Sequence, residues 1–165
     1  MAYVLNFSFL VRSAIPVAEK IICRIWGNSR KILQINKPSS KDEVVFRYEG
    51  GMVIRLCFFN KAGLLSETGS PERWVLWKVA VCRYPDGSRE RFAPEKKISE
   101  VYLGEKGICT LMGWDITFLY PHVGGMEIAT QSLLRDAQRV AENPYLPLGD
   151  REKAKAFLER YNAQD

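Results

Sequence analysis

The stretch RWVLWKVAVCRY, residues 73–84, decides the architecture. It is the longest strand pattern in the chain. Trp77, Val79 and Val81 alternate on one side, and Trp74, Leu76, Ala80 and Cys82 on the other. A strand that is apolar on both faces is buried on both faces, so it belongs in the middle of a sheet.

The neighbouring segments supply its partners. Residues 44–48 and 52–60 read as two strands joined at Glu49-Gly50-Gly51, a hairpin signal. Phe58-Phe59 puts aromatics on both faces of the second. Residues 30–36 predict a further strand, and 37–42 a polar loop. Residues 108–112 and 114–120 read as two more strands, whereas 94–103 fits no single pattern. Residues 61–72, with Gly63, Gly69 and Pro71, read as an exposed loop.

At the N-terminus, Tyr3, Leu5, Phe7, Phe9 and Val11 alternate, which predicts a strand over 3–12. Ser13 suits the cap of a following helix, with Ile15, Ala18, Ile22 and Ile25 on its apolar side, Pro16 in its first turn and Gly27-Asn28-Ser29 at its end. After residue 126 the period becomes helical, with Ile128, Ala129, Leu133, Ala137, Val140 and Ala141 apolar. Asn143-Pro144 stops that helix. Asp150 then caps a last helix carrying Ala154, Phe157, Leu158 and Tyr161 on one stripe. One β-α unit, a run of strands and then segregated helices predict an α+β domain over 1–165. Its β-rich body spans 1–120 and is mostly antiparallel. The helical pair, 126–162, packs on one face.

Composition narrows the chemistry. The chain has 165 residues, 47% of them hydrophobic, enough to bury a sizeable core. No apolar run reaches the roughly 20 residues that span a bilayer. The apolar N-terminal segment lacks a preceding basic region, which argues against a signal peptide. Cys23, Cys57, Cys82 and Cys109 are far apart in apolar surroundings and read as free, buried thiols. These features place the chain in the cytoplasm. No cysteine or histidine spacing suits a metal, no cofactor motif is present, and Glu100, Glu105 and Asp115 are too scattered to pair as catalytic acids.

The formal charge is +5, and residues 1–125 carry the surplus, with 18 basic against 12 acidic residues. An anionic partner suits such a body. Tyr84-Pro85-Asp86-Gly87-Ser88 has the chemistry of a bulged hairpin turn. A tight return there sets Arg83 opposite Arg89 and Val81 opposite Arg91. Arg83, Arg89 and Arg91 then share one face beside Tyr84. Opposed like charges destabilise a sheet unless an anion neutralises them. The partner-binding set read from the sequence is therefore Arg83, Tyr84, Arg89 and Arg91, with Lys78 behind them. The predicted function is non-catalytic binding of an anionic macromolecule, either nucleic acid, a nucleoprotein complex or an acidic protein. The chain would serve as an inhibitor or accessory factor of a larger assembly.

Two alternatives compete. His122, the only histidine, precedes Gly124-Gly125 where a strand is expected to enter a helix. Helix N-termini bind anions, so His122, Gly124 and Gly125 form a second candidate site, for a metal-independent enzyme acting on a phosphorylated ligand. Alternatively, Leu64-Leu65 or the last helix makes the chain a structural subunit. Trp26, Trp74, Trp77 and Trp114 read as core or half-buried strand residues.

Overall fold

The computed structural model describes residues 2–27, 30–37, 43–60, 74–83, 96–104, 110–120, 122–123 and 126–162. The architecture is α+β, with a mostly antiparallel sheet and three helices.

The chain begins with a helix, α1 (Ala2–Trp26), where the alternation predicted a strand. The expected N-terminal β-α unit is thus one continuous helix. A stronger period explains the difference. Leu10, Ala14, Val17, Ala18, Ile21 and Ile22 recur at helical spacing, and each is completely buried. The alternating residues have apolar neighbours at Val4 and Leu10, so the two-residue period separates no faces. Pro16 lies inside α1. It cannot donate to the carbonyl of Arg12, a residue on the exposed side, where a lost bond costs least. Gly27 ends the helix as expected. Its φ is +79°, and its N–H donates to the Cys23 carbonyl at 2.7 Å, a left-handed cap.

The main sheet comprises β1 (Ile32–Asn36), β2 (Glu43–Tyr48), β3 (Met52–Asn60), β4 (Trp74–Arg83), β5 (Lys96–Tyr102), β8 (His122–Val123) and β9 (Met126–Ile128). β1, β2, β3 and β4 pair in that order, each antiparallel to the next. Gly50 and Gly51, with φ of +88° and +79°, turn β2 into β3. β4 is central, as its two apolar faces predict. Its second edge is shared: Val75 and Leu76 pair in parallel with β9, while residues 78–83 pair with β5. Trp77 marks the division. It is the extra residue where the β3–β4 register shifts, a β-bulge that re-aims the strand. The Leu76 carbonyl accepts the Ala129 N–H, and the Trp77 carbonyl accepts the Leu103 N–H, both at 2.9 Å.

One face of the sheet holds the main core. Phe46, Ile54, Leu56, Val79 and Val81 join α1 there. The opposite face carries a small apolar cluster, Val45, Val53, Ala80 and Cys82, beside a row of charged side chains.

Other elements differ from expectation. The strands predicted over 108–112 and 114–120 shorten to a hairpin of β6 (Thr110–Leu111) and β7 (Trp114–Asp115). The Asp115 carboxylate accepts from the Thr117 N–H at 2.8 Å and hydroxyl at 2.7 Å, turning the chain into a 3-10 turn, Thr117–Leu119. Residues 126–128 are strand, not helix. Met126 and Ile128 are buried with Glu127 less so, a strand alternation. Helix α2 (Gln131–Glu142) starts later, with the Thr130 hydroxyl accepting the Leu133 N–H. Helix α3 (Leu148–Asn162) starts before Asp150, which lies in its first turn instead of at the cap. Ala137, Ala141, Ala154 and Phe157 join α2 and α3 to the main core. Leu64 and Leu65 lie outside the described residues. No helix among the described residues is long and apolar enough to cross a membrane.

Candidate binding surface

The central strand delivers Arg83 to one end of the sheet, and β5 starts beside it. Arg83 is opposite Lys96, and Val81 is opposite Ser99. This corrects the predicted hairpin register, in which Arg83 met Arg89 and Val81 met Arg91. The buried pair Val79 and Val101 sets the alignment through the core. Tyr84, Arg89 and Arg91 lie outside the described residues. Their segment is tethered at both ends to the Arg83–Lys96 pair.

Arg83, Lys96 and Lys97 are all exposed. Lys97 reaches Glu100 at 3.2 Å. Arg83 and Lys96 have no acidic partner among the described residues. The stretch from Arg83 to Lys97 holds five basic and three acidic residues. Arg83 and Lys96, exposed and opposite each other, make this end of the sheet a cationic rim.

Lys78 is not part of it. Alternation along β4 puts Lys78 on the face of Ala80 and Cys82, and Arg83 on the other. Lys78 sits in a cross-strand row with Glu43, Cys57 and Tyr102, where charges largely neutralise one another. Arg55 meets Glu43 at 2.7 Å, and the Cys57 thiol donates to the other Glu43 oxygen at 3.4 Å. Lys78 approaches Glu100 at 3.6 Å, and the Tyr102 hydroxyl donates to Glu100 at 3.2 Å. The Lys78 ammonium also lies 5.7 Å from the Trp77 ring centre and 5.6 Å from that of Tyr102.

The titrations of this row fit a structural role. Burial, then the Glu43 carboxylate, push the Cys57 thiol up to about 12, so it is no nucleophile at neutral pH. Burial raises Glu100, but the Lys97 hydrogen bond and the Lys78 charge outweigh it, holding the carboxyl below its ordinary range. Glu100 therefore stabilises the fold above its unfolded pKa and loses that contribution as the pH falls below about 4.5.

The second predicted site loses its helix. His122 is in register with Glu127, and Val123 with Met126, so Gly124-Gly125 connects two strands. Gly124 and Gly125 themselves lie outside the described residues. The N-terminus of α2 begins only at Gln131. No group of three or more His, Cys, Asp or Glu among the described residues is placed to hold a metal. Of the described cysteines, Cys57 and Cys82 are buried and unbridged as predicted, whereas Cys23 is exposed.

Protein-family models, curated proteins and solved structures contain no match to this chain. What the surface does follows from its own chemistry. One feature escaped the sequence reading. Ile98 on β5 and Met112 and Trp114 on the β6–β7 hairpin that meets it are 44%, 37% and 46% exposed. The Met112 N–H donates to the Ser99 hydroxyl at 3.0 Å, which fixes the corner between hairpin and strand. Trp114 sits in β7 with nearly half its surface open, the more exposed end of what was expected. Gly113 after Met112, flanked by apolar Leu111 and Trp114, is the sequence signal for this two-residue turn.

Proposed function

We propose that this chain acts by binding an anionic macromolecule at the cationic end of its sheet, as an inhibitor or accessory factor of a larger assembly. One observation carries the reading. Arg83 and Lys96 oppose each other across β4 and β5 without an acidic partner among the described residues. Directly opposed like charges destabilise a strand pair, and an anion placed between them reverses the sign. A cytoplasmic setting suits the unbridged thiols of Cys57 and Cys82.

Retention on a heparin column tests this. Arg83→Glu with Lys96→Glu is expected to elute at clearly lower salt than the wild type. Losing two phosphate-like contacts reduces the salt slope of binding by about two. Lys153→Glu with Lys155→Glu makes the same charge change on exposed positions of α3 and is expected to elute near the wild type. Equal losses in the two variants would mean diffuse charge and no site.

A further inference from the structure

From the corner where the β6–β7 hairpin meets β5, with Ile98, Met112 and Trp114 exposed beside the cationic rim, we infer that the anionic partner is a single-stranded nucleic acid, with a base stacked on Trp114. This rests on the anionic-partner reading and names its chemistry.

The state of the tryptophan favours a stacked base. Trp26 lies under the Arg30 guanidinium at 4.6 Å, and Trp77 packs against Tyr102 and Phe157. Trp114 has no ring or cation contact among the described residues, and nearly half its surface is open. An exposed ring beside cations is the arrangement that binds single strands: phosphates take the charges and bases take the ring.

Backbone strain at the hairpin tip points the same way. Met112 has a φ of +54° and Gly113 of +82°, the two left-handed positions of a tight turn. Asn-Gly fills such a turn at little cost, whereas methionine there is strained. Met112 is also 37% exposed, so core packing does not repay it. Its strained, exposed place at the tip presents an apolar side chain to a ligand.

Spacing is compatible. Ser99, which holds the tip, is three residues along β5 from Lys96, about 10 Å of strand. A nucleotide or two bridges phosphate at the rim to base at the tip. Of the charges near the corner, Arg83 and Lys96 have no acidic partner among the described residues, Lys97 is paired with Glu100, and the Asp115 carboxylate next to Trp114 accepts from Thr117. The two-residue tip is too narrow to form the apolar centre of a standard protein interface.

Fluorescence anisotropy of a labelled oligothymidylate of about 16 nucleotides tests it. Trp114→Ala is expected to weaken binding roughly tenfold with the salt slope unchanged, and Trp114→Phe to retain most of the affinity. Met112→Asn creates the favoured Asn-Gly turn, so it should raise Tm while weakening binding; a merely structural Met112 would not separate the two. Arg83→Glu with Lys96→Glu should reduce the salt slope. If Trp114→Ala binds as the wild type does while the charge variant is weakened, stacking is wrong and polyanion binding stands. Retention on heparin without oligothymidylate binding also overturns the inference and leaves an acidic protein as the partner. A wild type held by neither probe overturns the anionic reading itself.

Discussion

Phe157→Ala is expected to lower stability by about 3–5 kcal/mol, the range for removing a buried phenylalanine. Phe157 is 1% exposed on α3, and its ring meets Trp77 edge-on, with centres 5.8 Å apart. Trp77 is the bulged residue at which β4 changes neighbours, so the contact ties the C-terminal helix to the point where the sheet divides. Ala154, one turn earlier, is completely buried but too small to hold the helix alone. The loss combines missing transfer energy, a cavity and an edge-to-face pair worth about 1 kcal/mol. Urea unfolding should report it, with Tm lower by roughly 10 °C. Phe157→Leu refills most of the space and should lose less than half as much. A loss below about 1 kcal/mol for the alanine variant would show that α3 is held by other contacts.

How far the sequence revealed this molecule depends on how local each signal was. β4 was legible because both its faces are apolar, and the β2–β3 hairpin because Gly50-Gly51 punctuates it. β5 was not. Its sequence KKISEVY begins with two lysines, and Ile98 is the extra residue of a second bulge, so the two-residue alternation is interrupted. β9 is three residues long and gains its stability from a parallel pairing with β4, some fifty positions earlier. No local pattern encodes that, and Ile128 and Ala129 also continue the helical period of α2. In α1 two periods competed, and the stripe from Leu10 to Ile22 prevailed because tertiary burial outweighs a short alternation. For the candidate surface, charge composition pointed to the β-rich body. The opposition of Arg83 and Lys96 became visible only with the true register.

The other large effect is expected at alkaline pH. Cys57 has its thiol pushed up to about 12, by burial first and then by Glu43, while the ordinary value is 9.0. A raised pKa means the folded protein keeps its proton longer than the unfolded chain. Its stabilising contribution is complete below pH 9 and is lost as the pH rises towards 12. At about 1.4 kcal/mol per pH unit, the loss reaches up to about 4 kcal/mol across that window, a large fraction of a typical folding free energy. Tyr48 acts in the same direction. It is completely buried, and its hydroxyl has no hydrogen-bond partner among the described residues. Burial, then the charges of Glu19 and Cys23, push it well above its ordinary 10.0. Tm measured from pH 8 to pH 11 should therefore fall steeply above pH 9. Cys57→Ser keeps a hydroxyl for Glu43 but removes the ionisation, and should flatten the first part of the decline. Tyr48→Phe deletes a buried, unpartnered hydroxyl, so it should be neutral or stabilising at pH 7 and should flatten the decline above pH 10. If Cys57→Ser declined as steeply as the wild type from pH 9, the buried thiol would not be the source of the alkaline loss.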